Sequence, residues 1–595
     1  MSLRTAHHGM TPTLSLLLLQ SGTPPTTCNT GVCPDPMIAS PEKFEVDGVG
    51  KLQLDWSDTA DMVPTTQFLP SKPLTMGPRT QTERLSWSDW LWNRLEPDEQ
   101  ERLHRNIGHS EWVDHFVSYG SRTQIFEQIR KTCNANMPEP VDPAPTFSMT
   151  ELSPTRRATL KRMAPAHLPK HLFEDIHSRV PTGLMRRMKE HAPSSDSLLI
   201  AKKHANHTMA NILTEAYDHK PEDFKFAFCE MCNTVCPVVP ECKPVDKFPV
   251  HWRGASGGVP CTDHSAMNQG SPGDGGGAFG ASQLFFDERA HAQEDYILVE
   301  CTKKSNAASD LQRSCPGHSV TRVVLDGGPL GDSYARQRMV ALGTSPRVGM
   351  VRPINTFLQR VHTTPCFPLA DFFSSSPEEI QLELEDLATR RVVPVGSDLT
   401  FQDTWLPSQK DYFEQYRREF VKRLNLGFLF EDDTKIADLD HRPCASWGRS
   451  TADTGVGRAN VFTVIKHGTI VNMDTLDQMT CFDLARVHCW PISDIERARH
   501  GSVLNLFDCV KNGVITCRDL SAMVGDSWVL RTIGLFMMFT MANMEFKDAH
   551  SDKIPLTVTP KKRRRVDDAE TVDTTSPNSI MTVEISSDSD GEKNH

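Results

Sequence analysis

Three short apolar runs, each ending at a turn, constrain this chain more than any other feature. They are FKFAFCE (Phe224 to Glu230), DYILVE (Asp295 to Glu300) and SVTRVVLD (Ser319 to Asp326). Runs of this length, rich in aromatic and β-branched residues, each read as a buried strand. In an open parallel sheet, ligands bind beyond the carboxyl ends of the strands. Glu230 and Glu300, which close two of the runs, are therefore site candidates. A loop-exposed carboxylate is the alternative for each.

The 595 residues suffice for a large α/β domain with extensions. Residues 1–80 are rich in Pro, Thr and Ser and read as disordered. Helical spacing begins at SWSDWLWNRLEPDEQERLHRNI (Ser86 to Ile107), so 81–194 reads as a helical extension broken by the Pro-rich stretch Met137 to Phe147. Strand and turn texture occupies 195–345, a less regular segment 346–470, and returning helical and strand texture 471–550. A charged tail, 551–595, reads as disordered.

The net charge of -12 excludes a general basic coat, so any contact with nucleic acid must be made by a local cleft. Sixteen cysteines spread over this length suit a reducing compartment better than a disulfide framework. The apolar stretch Leu14 to Leu19 is too short for a signal core or a membrane span. An intracellular protein with no membrane partner is expected.

Three chemically distinct features fall at strand-to-loop junctions. Cys261 follows Pro260 in the turn GGVPC, Glu300 ends a strand, and Arg336 and Arg338 lie two apart, on one side of an extended segment. With GGVPCTDHS, ILVECT and GDSYARQR in this order, the chain resembles the DNA cytosine-5 methyltransferase family. Two later motifs extend the likeness, LARVHCWPI (Leu484 to Ile492) and MVGDSWV (Met523 to Val529), so that it covers roughly residues 195 to 545. Cys301, Tyr334 and Asp526 depart from the residues the family carries there.

The resemblance implies an α/β, S-adenosylmethionine-dependent methyltransferase-like (Rossmann-like) parallel sheet with helices on both faces, and an irregular target-recognition-like insertion at 346–470. It implies Cys261 as nucleophile at carbon 6 of a cytosine flipped from double-stranded DNA. Glu300 would serve as proton donor at ring nitrogen 3. Arg336 and Arg338 would orient the base and lower the thiol pKa. Glu230, Pro260, Gly525, Asp526 and Ser527 would contact S-adenosylmethionine. The glycine-rich stretch Asn268 to Ser282 has the composition of a lid.

Counting back from FKFAFCE, the family's Phe-x-Gly-x-Gly cofactor loop is expected near Leu198 to Leu213, a stretch without glycine. The alternatives are a divergent loop or a catalytically inactive nuclear protein that binds DNA or chromatin through the same scaffold. RNA cytosine methylation, by the same chemistry, is a further alternative. Cys229, Cys232, Cys236 and Cys242 include a C-x-x-C pair that suits zinc, but free thiols with no metal are the expected reading.

In the tail, Lys561 to Arg565 (KKRRR) resembles a nuclear import signal, placing the protein in the nucleus with an import receptor as partner. Val583 to Ile585, followed by serines and acids, resembles a SUMO-interacting motif, with a plain acidic tail as the alternative.

Overall fold

The computed structural model describes residues 63–191, 199–240, 251–260, 279–332, 336–396, 398–425, 436–440, 468–547 and 582–583. Ten strands form its main sheet. They are β1 (Ser110–His115), β2 (Thr146–Thr150), β3 (His171–Phe173), β4 (Phe226–Cys229), β5 (Thr234–Pro237), β6 (Trp252–Gly258), β7 (Tyr296–Cys301), β8 (Ser319–Leu325), β9 (Arg338–Thr344) and β10 (Thr582–Val583). The spatial order is β10-β8-β9-β7-β6-β1-β2-β3-β4-β5.

β3, β2, β1, β6 and β7 are mutually parallel. β9 inserts antiparallel between β7 and β8, and β4 and β5 add an antiparallel hairpin at the other edge. The chain builds outward from β1 to β3 and then returns to lay β6 on the opposite side of β1. The β1/β6 boundary is thus the switch point at which loops diverge and a cleft opens.

Helices cover both faces, and β7 shows why. Tyr296 and Leu298 point into one core cluster with Trp112, Trp252 and the residues of α1 (Leu530–Ala542). Ile297, Val299 and Cys301 point into a second cluster with Phe285 and Leu311. The period-two alternation of a strand thus feeds two apolar layers. The fold is the expected α/β sheet, parallel at its centre with helices on both faces.

Several expectations are corrected. Residues 81–194 are no helical extension, since they supply β1, β2 and β3. FKFAFCE does form β4, but as the inner strand of the edge hairpin, with Phe226 and Phe228 exposed, rather than a buried one. The segment before Cys261, FPVHWRGASGG, lacks the apolar run of a typical central strand, yet β6 is buried along most of its length. A Cβ at Gly254 would lie 2.7 Å from the Trp112 ring, and one at Gly257 would lie 3.0 Å from Phe285. Small residues stand in β6 because neighbouring aromatics fill its space.

β10 pairs in parallel with Arg322 and Val323 of β8. The rest of the tail, including Ile585 and the basic run Lys561–Arg565, lies outside the described residues, as do 1–62. Among the described residues no single helix is long and apolar enough to cross a membrane.

Candidate functional site

The loop after β1 is Phe116-Val117-Ser118-Tyr119-Gly120, and helix α2 (Ser121–Asn136; α1 as above follows it in the chain) begins immediately. Phe116 and Ser118 take φ of 55° and 52°, and Gly120 takes 89°. Three left-handed residues in five fold the backbone tightly over the strand end. The segment matches the Phe-x-Gly-x-Gly pattern in spacing, with Ser118 where the pattern has its first glycine. The stretch expected to hold it, from Leu199 on, instead forms part of an unbroken helix, Leu199–His219, where glycine is unfavourable.

Buried polar partners hold the loop. Glu151, just past β2, accepts from the Ser118 backbone N–H at 2.9 Å and from that of Ser153 at 3.1 Å. Beneath it Asp114 is gripped by Arg122, and accepts from Ser256 Oγ of β6 at 2.7 Å. Arg122 also donates to Thr146 Oγ1 at 2.7 Å, so one buried ion pair ties β1, β2, β6 and α2 together. His115 forms a second buried cluster with Glu288, and burial holds its ring at about 4, neutral at ordinary pH.

The cleft at the β1/β6 boundary is lined by Asp114 to Ser118, Gly120 to Arg122, Ser256, Gly258 and Asp526 to Trp528. Ser121 Oγ, at the start of α2, is buried and has no hydrogen-bond partner among the described residues. A helix N-terminus with an unused hydroxyl suits an anionic group such as the carboxylate of an amino-acid cofactor.

Glu300 lies on the adjoining strand. Its register partner across β6/β7 is Gly258, three residues before Cys261. Glu300 Oε1 pairs with Arg338 Nε at 2.8 Å. Burial raises the Glu300 carboxyl above the usual carboxylate range, while Arg338 and Arg336 pull it back. Arg336 points elsewhere, donating to the carbonyls of Gly525 at 2.8 Å and Ser527 at 3.3 Å. The arginine pair thus joins the carboxyl to the 525–527 turn. Ser527 Oγ also contacts Tyr119 Oη at 3.0 Å and His488 Nδ1 at 3.1 Å. Burial and the two arginines hold the His488 ring neutral.

Of the sequence-derived candidates, the structure brings together Glu300, Arg336, Arg338, Gly525, Asp526 and Ser527 around the end of β6. Pro260 is half-buried just past Gly258, whereas Cys261 lies outside the described residues, as does most of the lid, 268–278. Glu230 is the exception. It sits in the β4–β5 turn, paired with Arg157 Nε at 2.6 Å and Lys161 Nζ at 2.5 Å rather than lining the cleft. Glu151 has the strand-end position next to the loop instead. The loop itself, Glu151 and His488 were missed. The signal available was Phe116-x-Ser118-x-Gly120 after SEWVDH.

Gly120 is testable. An alanine there would carry positive φ and drive its Cβ into the Met163 methyl. Gly120→Ala is expected to cost about 1–2 kcal/mol in thermal or urea unfolding. Gly183→Ala, with open space around its Cβ, is expected to stay within about 0.5 kcal/mol of the parent.

No family model matches this sequence, and no curated protein does. Among solved structures, the Dnmt2 methyltransferase of S. pombe aligns over 72% of this chain and 98% of its own, with 11% identity and a TM-score of 0.33. A putative DNA modification methyltransferase encoded within an E. coli prophage aligns over 73% and 98%, with 10% identity and a TM-score of 0.35. The Entamoeba histolytica methyltransferase EhMeth aligns over 73% and 98%, with 11% identity and a TM-score of 0.29. These neighbours are described as methyltransferases; at such scores the functional reading rests on this chain's own strands and loops.

Proposed function

We propose that this chain is a nuclear DNA cytosine-5 methyltransferase using S-adenosylmethionine. The observation that carries the reading is the pairing of Gly258, on the strand leading to Pro260–Cys261, with Glu300, beside a cleft built on the Phe116–Gly120 loop. The strand leading to Pro260–Cys261, a carboxyl whose pKa burial raises, and the Phe116–Gly120 loop thereby adjoin one another.

In this reading the Cys261 thiolate adds to carbon 6 of the flipped cytosine. Glu300 supplies the proton at ring nitrogen 3 that neutralises charge as the bond forms. Arg338 orients Glu300, and Arg336 fixes the 525–527 turn. The loop Phe116–Gly120, the start of α2 and Asp526 to Trp528 would hold S-adenosylmethionine, which when bound supplies an electrophilic methyl group. Once carbon 5 carries the methyl group, water would take its proton, the ring nitrogen 3 proton would return to Glu300, and expulsion of the Cys261 thiolate would restore the ring.

Two features of the tail belong to the same proposal. Lys561–Arg565 would engage an import receptor. Val583–Ile585 would add as a strand to a SUMO sheet edge, which requires release of Thr582–Val583 from its pairing with β8.

The test is covalent trapping. Duplex DNA containing 5-fluorocytosine, incubated with the full chain and S-adenosylmethionine, is expected to give a denaturation-resistant adduct, absent in Cys261→Ala. A folded parent protein that binds this DNA but forms no adduct would replace the enzyme reading with that of a DNA-binding scaffold. Adduct formation on single-stranded RNA alone would move the substrate class.

A further inference from the structure

We infer that the hairpin β4–β5 and the start of β3 form a structural zinc site with His171, Cys229, Cys232 and Cys236 as its four ligands. The ligand-type atoms of these residues all lie within 4.8 Å of one another. A tetrahedral site with Zn–S near 2.3 Å and Zn–N near 2.0 Å needs its ligand atoms about 3.5–3.8 Å apart. Cys232 Sγ already lies 3.5 Å from His171 Nδ1.

The surrounding hydrogen bonds are those a bound thiolate uses. Cys229 Sγ accepts from the backbone N–H of Cys232 and from that of Leu172, each at 3.4 Å. The first comes from the C-x-x-C turn folding back on its own sulfur. The second comes from β3, beside the His171 ligand. Residues from three places in the chain thus point at one centre: the end of β4, its turn, and β5, with a histidine from the neighbouring strand.

The fourth ligand explains why the sequence alone left the question open. Cys242 was the fourth cysteine in reach, but it lies outside the described residues, and His171 is 58 positions before Cys229. A soft, three-thiolate, one-imidazole set favours zinc over magnesium or calcium. Four protein ligands leave no open position, so the site is structural rather than catalytic.

The fold also shows what the ion would hold. β3 pairs with β4 at a single rung, Phe173 with Cys229. The hairpin exposes Phe226, Phe228 and Val235, and its buried apolar cluster is small. Such a unit lacks the burial to dock itself, and a metal staple offsets that lack. Within the knuckle, Glu230 grips Arg157, which donates to the carbonyl of Glu151 at 2.9 Å. Glu151 in turn holds Ser118. The zinc would thereby anchor the route from the sheet edge to the cleft loop.

The experiment is metal analysis of the full chain purified without an immobilised-metal step. About one zinc per chain is expected after dialysis, with cobalt exchange giving the intense visible bands of tetrahedral thiolate coordination. Cys232→Ser and His171→Ala should each retain about tenfold less metal. Cys366→Ser, at a half-buried cysteine elsewhere, should retain it fully. A folded parent with less than about a tenth of an equivalent, all thiols titrating and no cobalt spectrum, would overturn the site. So would a Cys232–Cys236 disulfide in the parent, or full zinc retention by both ligand variants.

Discussion

Glu300→Gln is expected to lower kcat by about 10²–10⁴-fold, the range general acid catalysis contributes, with little change in DNA affinity. The amide keeps the shape and a hydrogen-bond donor but has no proton to give. The pH dependence gives a second readout. Burial raises the Glu300 pKa, so the protonated form persists above the ordinary carboxylate range. The rate should fall as pH rises through that pKa. Arg338 acts in the opposite direction, its guanidinium favouring the carboxylate at 2.8 Å. Removing it by Arg338→Ala should move the falling limb to higher pH while also lowering kcat. Rates within threefold of the parent for Glu300→Gln, or a limb unmoved by Arg338→Ala, would take the proton-donor role away from Glu300.

Asp332→Ala is expected to destabilise the fold by about 3–5 kcal/mol, because it leaves two buried cations without their shared anion. Asp332 Oδ1 lies 3.3 Å from Arg84 Nε, and Oδ2 lies 3.2 Å from Arg531 Nη1, all three side chains being essentially inaccessible. Arg84 also donates to the carbonyls of Val487 at 2.8 Å and Arg486 at 3.1 Å, and its guanidinium lies over the rings of Phe367 and Phe372. The triad thus joins an N-terminal helix, Gln81–Leu85, the stretch after β8, and α1. Urea unfolding of the full chain is the measurement. A loss under about 1 kcal/mol would show that water or another anion reaches the arginines.

The same triad marks where reading the sequence stops. Arg84, in a stretch that reads as a helical extension, is a core residue of the main body, and nothing local in the sequence distinguishes it from a solvated helix cation. β1 was missed for a related reason. SEWVDH carries Asp114 and His115 at positions that face inward, so its hydrophobic pattern is broken. Their partners are distant: Ser256 lies 142 positions from Asp114, and Glu288 lies 173 from His115. A buried charge is tolerable only where such partners meet it, and they meet only in the tertiary structure.

What the sequence determined by itself was the half of the site written in continuous apolar strands and short fixed spacings. DYILVE and SVTRVVLD are legible because β7 and β8 are apolar on both faces, and Glu300, Arg336 and Arg338 follow from their ends. The tertiary structure alone decided the half built on the Phe116–Gly120 loop. Left-handed backbone at Phe116 and Ser118 hides the loop behind non-glycine residues. Packing against Trp112 and Phe285 makes a glycine-rich β6 a central strand. His171 joins three cysteines far along the chain, because strand order rather than sequence spacing brings ligands together.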